Sequence, residues 1–348
     1  MADLAYAAGF GSVRRFNALF DQRYGLAPTA VRRKAQADPR DGDVLQLRLA
    51  YRPPFNWEQM LRYLAGRAIP GVEAVLAADG GGDAAYVRTV RIGTVQGWIR
   101  VRHLAAKHQL EVDVTPALAP HLMDLLSRVR SQFDLDTDPE AIQQHLQQDA
   151  LLSRQIRHAP GLRVPGAFDA FELAARAVLG QQISVAGATT LAGRLVARFG
   201  DPIATPFPEI GWHFPLPQTL ADAASADIAQ IGMPASRAET LRELARFAAA
   251  GGLDLKPGVG LPAAITQLRS VRGIGEWTAQ YIALRALRFP DAFPAGDLGL
   301  QKAAALGATD TVRLSEKQLL LQAQHWSPWR GYAALLLWNS LNNPVSAL

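Results

Sequence analysis

Asp297 is the residue on which chemistry could turn. It follows two helical runs separated by Gly273-Ile274-Gly275, then an irregular segment at 289–296, and it opens a short helical run at 298–306 closed by Gly307. That position reads as a helix N-cap. A cap alone would contribute about 0.5–2 kcal/mol. A carboxylate held ionised at a helix N-terminus and facing a cleft would do more, and the two readings are compatible. Trp277 and Tyr281 lie four residues apart, so they share one face of the second helical run. An electron-rich ring face attracts a cation by roughly 0.5–2 kcal/mol. Each ring taken alone also fits ordinary core packing.

Positioning these side chains falls to residues 261–302, around which the chain is organised. Pro262 suits the first turn of a helix running to about Arg269, and the glycines break it before a second helix at 276–288. Two glycines let the backbone approach a ligand closely, and the second helix begins with unpaired N–H groups, so a phosphate would fit. A bare G-x-G is equally an ordinary helix-connecting turn.

The order LRSVRGIGEWTAQYIALRAL, a loop, then Asp297 resembles the helix–hairpin–helix superfamily of DNA glycosylases. Three further segments, DAFELAARAVLGQQISV (169–185), GMPASRAETL (232–241) and SPWRGYAALLLW (327–338), are similar to those of the bacterial AlkA-type 3-methyladenine DNA glycosylase II family. The resemblance runs from about Val44 to Asn339. It implies a monofunctional hydrolase that flips alkylated purines out of duplex DNA and breaks their N-glycosidic bond. Asp297 would then be the catalytic carboxylate, stabilising the positive charge that develops on the sugar and orienting or deprotonating a water. A purine alkylated at N3 or N7 already carries positive charge, so a general acid is less necessary.

The flipped base needs a pocket with stacking surfaces. By the resemblance Trp277, Tyr281, Trp338 and Asn339 line it, Asn339 standing where the family pattern has tyrosine. Gln182 takes the place of a leucine that wedges into the gap left by the base, and Gly296 replaces a second acidic residue, leaving little charge beside Asp297. Gly273 and Gly275 would hold a DNA phosphate, with Arg272 as an added contact or simply a solvated arginine. The backbone carbonyls of Arg269, Val271 and Ile274 would hold a structural monovalent cation; no cofactor is expected for catalysis. Bifunctional glycosylase/lyases carry a Schiff-base lysine two residues after the hairpin's second glycine. Trp277 occupies that position, which implies no strand cleavage.

The chain of 348 residues has length for two or three domains, and 49% hydrophobic residues argue against wholesale disorder. A net charge of +5 permits a polyanionic partner without demanding one. The absence of cysteine excludes disulfides, thiol nucleophiles, cysteine zinc sites and thiolate-held iron–sulfur clusters. No apolar run reaches membrane-spanning length and no signal peptide is evident, so a cytoplasmic location, no membrane partner and a monomer are expected. His103, His108, His145, His158, His213 and His325 show no close metal spacing, and neither a Walker loop nor a dinucleotide fingerprint is present.

The expected fold is α+β. Residues 1–36 resemble part of an AraC-type helix–turn–helix, with a short apolar helix, a Gly9-Phe10-Gly11 turn and Ser12 capping a helix that carries Arg14, Arg15 and Arg23. A polar linker at 37–43 opens an α+β domain (37–115) with strands at 44–49, 84–92, 94–102 and 110–114, a helix at 57–67, a glycine turn at 80–82 and no visible catalytic constellation. A helical body of two lobes (116–348) follows, with helices at 117–133, 138–145 and 170–179 and loops at 202–217 and 251–260. Two alternatives stay open: a non-enzymatic DNA-binding regulator or alkylation-damage sensor, and a structural helical protein in which Asp297 only caps.

Overall fold

A computed structural model describes residues 12–30, 33, 44–78, 84–256, 258–305 and 313–342. The expected elements before Ser12, the linker at 37–43, the glycine turn at 80–82 and Gly307 lie outside them. The architecture is α+β, an antiparallel sheet followed by a helical body.

Ser12 does cap helix α1 (Val13–Tyr24), its hydroxyl accepting from the Arg15 amide at 3.2 Å. Strands β1 (Leu45–Ala50), β2 (Glu73–Leu76), β3 (Ala85–Ile92), β4 (Val95–Leu104) and β5 (Gln109–Val114) form one sheet in the order β1-β5-β4-β3-β2. Period-two alternation sets the face: Leu45, Leu47 and Leu49 are buried while Gln46 and Ala50 are exposed. The unanticipated β2 has only four residues, too few to display that alternation. Helix α2 (Trp57–Ala65), capped by Asn56, sets Trp57, Met60, Leu61 and Leu64 against the sheet's core. Gln59 and Tyr63, again four apart, occupy a different part of its surface.

The single helix expected at 117–133 is broken. Pro120 lies in a 3-10 segment, Pro116–His121, and helix α3 (Leu122–Gln132) begins after it, because proline has no N–H to donate. Leu125, Leu126 and Val129 of α3 belong to the sheet's core, so this helix packs with the N-terminal layer.

Helices α4 (Pro139–Leu146), α5 (Ala150–His158), α6 (Ala170–Leu179), α7 (Val185–Phe199), α8 (Pro217–Asp222), α9 (Ser225–Ala229), α10 (Ala235–Ala249), α11 (Leu261–Arg269), α12 (Glu276–Arg285), α13 (Leu298–Ala304), α14 (Glu316–Ala323) and α15 (Arg330–Asn342) build the second core. A two-stranded hairpin, Asp201–Pro202 with Trp212–His213, overlaps the first expected loop and begins one residue before it. Helix α6 is apolar nearly all round and buries Phe171, Leu173, Val178 and Leu179, packing against α10 and α12. Burying each such large side chain contributes roughly 1.5–3 kcal/mol. At its N-terminus Glu172 accepts from Arg88 of β3 at 2.7 Å, both side chains buried. Burial pushes the Glu172 carboxyl up and Arg88 pulls it back. Because desolvation offsets much of the attraction in such a pair, its main consequence is geometric, tying sheet to helical body.

Candidate active site

The hairpin between α11 and α12 is fixed from beneath. Val271 and Ile274 are buried, and the Ile274 amide donates to the Val271 carbonyl at 3.1 Å. Gly273 has φ of +90°, and a Cβ there would collide with the Thr240 side chain, so glycine is required twice over. Gly275 is different. Its φ is −83° and a Cβ would meet nothing within 4 Å, so no part of the described chain demands glycine there. Gly275 is the N-cap of α12, with no side-chain cap on the helix's first amides. The open space beside those amides is where an anion would approach. Arg272 is exposed at the turn, and Arg269 pairs with Glu276 at 3.0 Å. The Val271 carbonyl keeps a second lone pair beyond the one given to Ile274, compatible with a cation held by the Arg269, Val271 and Ile274 carbonyls.

Helix α12 stops at Arg285, three residues short of expectation, and Arg288 takes a left-handed φ of +64°. Trp277 and Tyr281 project from its first two turns and stack, ring centroids 5.3 Å apart and 9° from parallel. Trp338 of α15 approaches Tyr281 at 67°, centroids 6.3 Å apart.

Asp297 caps α13 as expected, Oδ1 accepting from the Leu300 amide at 2.9 Å. It does more than cap. Trp338 Nε1 donates to Oδ1 and Trp277 Nε1 to Oδ2, each at 3.0 Å. Oδ1 therefore has two donors and Oδ2 one, leaving Oδ2 the freer oxygen for a cation or a water. The side chain is half-buried and lines the cleft, neither sealed nor turned away. Gly299 keeps that arrangement open, since a Cβ there would come 2.9 Å from Oδ1. Glu316 reaches to 3.7 Å from where a Gly296 Cβ would stand, and it is not among the described residues that line the cleft.

The cleft, about 900 Å³, brings together Trp277, Tyr281, Asp297, Trp338, Asn339, Gln182, Gly273 and Gly275. Gln182 is exposed at its mouth in left-handed backbone, φ +59°, flanked by exposed Ile183 and Val185. The neighbouring Gln181, missed in the sequence, donates from Nε2 to the Gly273 carbonyl at 3.1 Å and to Thr278 Oγ1 at 3.2 Å. It ties the loop that carries Gln182 to the hairpin.

The N-terminal domain, in which the sequence shows no catalytic constellation, supplies one wall: Asn56, Gln59, Met60 and Tyr63 of α2 and its cap, and Arg67 beyond. Gln59 Nε2 donates to Asn339 Oδ1 at 2.5 Å, bridging the two cores above the pocket. Arg285, one turn past Tyr281, donates to its hydroxyl at 2.6 Å and stays buried. Burial pushes the Tyr281 phenol up, but Arg285, Arg67 and hydrogen bonds from Tyr63 and Arg285 outweigh it and bring it down to about 8. Burial raises Tyr63 instead. The described residues include no cluster of potential metal-ligating side chains and no helix long and apolar enough to cross a membrane.

Residues 46–169 match the model of the AlkA N-terminal domain, and residues 175–324 that of the HhH-GPD superfamily base excision DNA repair protein. A probable bifunctional transcriptional activator/DNA repair enzyme AlkA of Mycobacterium tuberculosis is 37% identical over 99% of this chain and 67% of its own length. DNA-3-methyladenine glycosylase 2 of Escherichia coli is 36% identical over 83% of this chain and 95% of its own. Among solved structures, the 3-methyladenine DNA-glycosylase of Archaeoglobus fulgidus superposes with a TM-score of 0.72 at 20% identity, covering 86% of this chain and 99% of that one, a likeness of fold.

Proposed function

The chain belongs to the HhH-GPD superfamily of base excision DNA repair proteins, with an AlkA-type N-terminal domain, and from that membership we propose that it is a monofunctional DNA glycosylase that excises alkylated purines such as 3-methyladenine and 7-methylguanine from double-stranded DNA. The observation that carries the reading is the Asp297 carboxylate held by two indole N–H groups on the wall of an aromatic cleft.

Duplex DNA would lie across the cleft mouth, a backbone phosphate on the Gly273–Gly275 turn and the α12 amides, with Arg272 beside it. The carbonyls of Arg269, Val271 and Ile274 would hold a monovalent cation, which when bound neutralises that phosphate; catalysis itself uses no cofactor. Gln182, offered outward by its left-handed backbone, fills the gap left in the stack while the lesion turns into the cleft. There the base meets the Trp277, Tyr281 and Trp338 rings, with the Gln59–Asn339 pair at its polar edge. As the C1′–N bond lengthens, positive charge spreads onto the sugar and Asp297 Oδ2 stabilises it and orients the attacking water. Among the described residues that line the cleft none is a lysine, which supports the reading without a Schiff-base step. The reading takes the protein as a cytoplasmic monomer.

Chromatographic detection of free 3-methyladenine and 7-methylguanine from methylated duplex DNA tests it. Both bases should appear while the strands stay intact until alkali is added. A protein that binds such DNA and frees no base would instead be a damage sensor or regulator.

A further inference from the structure

We infer that Asp134 is a positioning residue for this site: from inside the core it holds helices α12 and α15 in the register that lets Trp277 and Trp338 reach Asp297 together. The inference rests on the glycosylase reading for its rate measurement and on geometry for the rest.

The two indoles that donate to Asp297 come from separate helices, Trp277 from the first turn of α12 and Trp338 from the second half of α15. One carboxylate can receive both at hydrogen-bonding distance only while neither helix slides or rolls against the other. At their opposite ends the same two helices meet a second carboxylate. Asp134, two residues past α3 and fully buried, accepts from Arg288 Nη2 at 2.6 Å on Oδ1 and from the Tyr332 hydroxyl at 2.7 Å on Oδ2. Arg288 lies three residues beyond the end of α12, and Tyr332 is the third residue of α15. The helix pair is thus bracketed by an acid at each end.

The far bracket is built rigidly. Asp134 has a left-handed φ of +54°, its carbonyl accepts from Arg163 Nη1 at 2.6 Å, and its Oδ2 also accepts from the Val164 amide at 3.3 Å. Arg288 Nη1 donates to the Ser131 carbonyl, and the Tyr332 hydroxyl also meets Thr137 Oγ1. The Gly331 amide donates to the Pro290 carbonyl at 2.8 Å, and a Cβ on Gly331 would collide with Leu284, so the start of α15 is pressed against the end of α12. Asp134, Arg288 and Tyr332 are not among the described residues that line the cleft. Desolvation offsets much of the attraction in a buried ion pair, so what this one supplies is geometry. Tyr332 and Trp338 are six residues apart, about 9 Å along α15 and about a third of a turn around it, and holding both stops sliding and rolling alike.

The test measures single-turnover release of 3-methyladenine from methylated duplexes by wild type, Tyr332→Phe and Arg288→Gln, each variant also combined with Trp277→Phe and with Trp338→Phe. A misplacement on the order of 1 Å far from the chemistry can cost about 10²-fold, and each single variant should slow release by about tenfold. Tyr332→Phe should cost little more in the Trp338→Phe background and keep its full effect beside Trp277→Phe; Arg288→Gln should show the reverse. Distant changes that only loosen the fold add independently, so general destabilisation does not give this crossed pattern. A second readout needs no DNA: the indole N–H resonances of Trp277 and Trp338, assigned with the two Trp→Phe variants. Tyr332→Phe should move the Trp338 resonance and Arg288→Gln that of Trp277, each in the direction that Asp297→Asn moves them. Additive losses, or indole resonances that stay where they are, overturn the inference alone. A wild type that frees no base overturns the glycosylase reading, and the indole resonances then decide the positioning role by themselves.

Discussion

Trp277 Nε1 lies 3.0 Å from Asp297 Oδ2 and donates to it, although the two residues come from different helices and are twenty positions apart. One side chain thus supplies an aromatic face on the cleft wall and a hydrogen bond that aims the carboxylate.

Trp277→Phe separates those duties. Phenylalanine keeps an aromatic face against Tyr281 and loses the donor. A hydrogen bond to a charged group is worth about 1.5–3 kcal/mol, and each 1.4 kcal/mol in the barrier is about tenfold in rate. Single-turnover release of 3-methyladenine should fall roughly 10- to 100-fold, with duplex affinity little changed.

The two hairpin glycines should respond in opposite ways to alanine. Gly273→Ala combines a positive φ with a collision against Thr240, and should destabilise the fold by about 1–3 kcal/mol in urea titration. Gly275→Ala enters open space at an ordinary φ, so stability should stay within about 0.5 kcal/mol. Its duplex affinity should fall nonetheless, because the added methyl would stand where the proposed DNA pose puts the phosphate. Undiminished binding by Gly275→Ala would move the phosphate elsewhere.

His213 should make the protein acid-sensitive. Burial, then Arg91 and Arg88, lower it to about 4, and among the described residues its Nε2 has no hydrogen-bond partner. Between that value and the ordinary one near 6.5 the unfolded chain takes up a proton that the folded chain refuses. This contribution to stability is complete above about pH 6.5 and declines by about 1.4 kcal/mol per pH unit toward pH 4. Urea midpoints measured across that window should show the slope in wild type and lose it in His213→Gln.

The parts of the site that follow local rules were legible in the chain. Asp297 is a cap because a helix must start there, and Trp277 and Tyr281 share a face because they are four apart. Arg285 continues that face by one more turn, but a cation in a helix's last turn reads as an ordinary dipole partner. Tyr63 and Gln59 were hidden for a different reason. They lie more than two hundred residues before Asp297 on an amphipathic helix whose apolar stripe explains its presence, and only the packing of the two cores brings its other face to the cleft. Gln181 was overshadowed by Gln182, since a hydrogen bond to the carbonyl of a distant glycine leaves no trace in sequence.

The central claim is that Asp297 carries the chemistry and does not merely cap α13. Asparagine at 297 can still cap through its side-chain oxygen while the negative charge is removed. Single-turnover release of 3-methyladenine by Asp297→Asn should fall by about 10²–10³-fold with duplex affinity and thermal stability retained. Release at the wild-type rate would contradict the account.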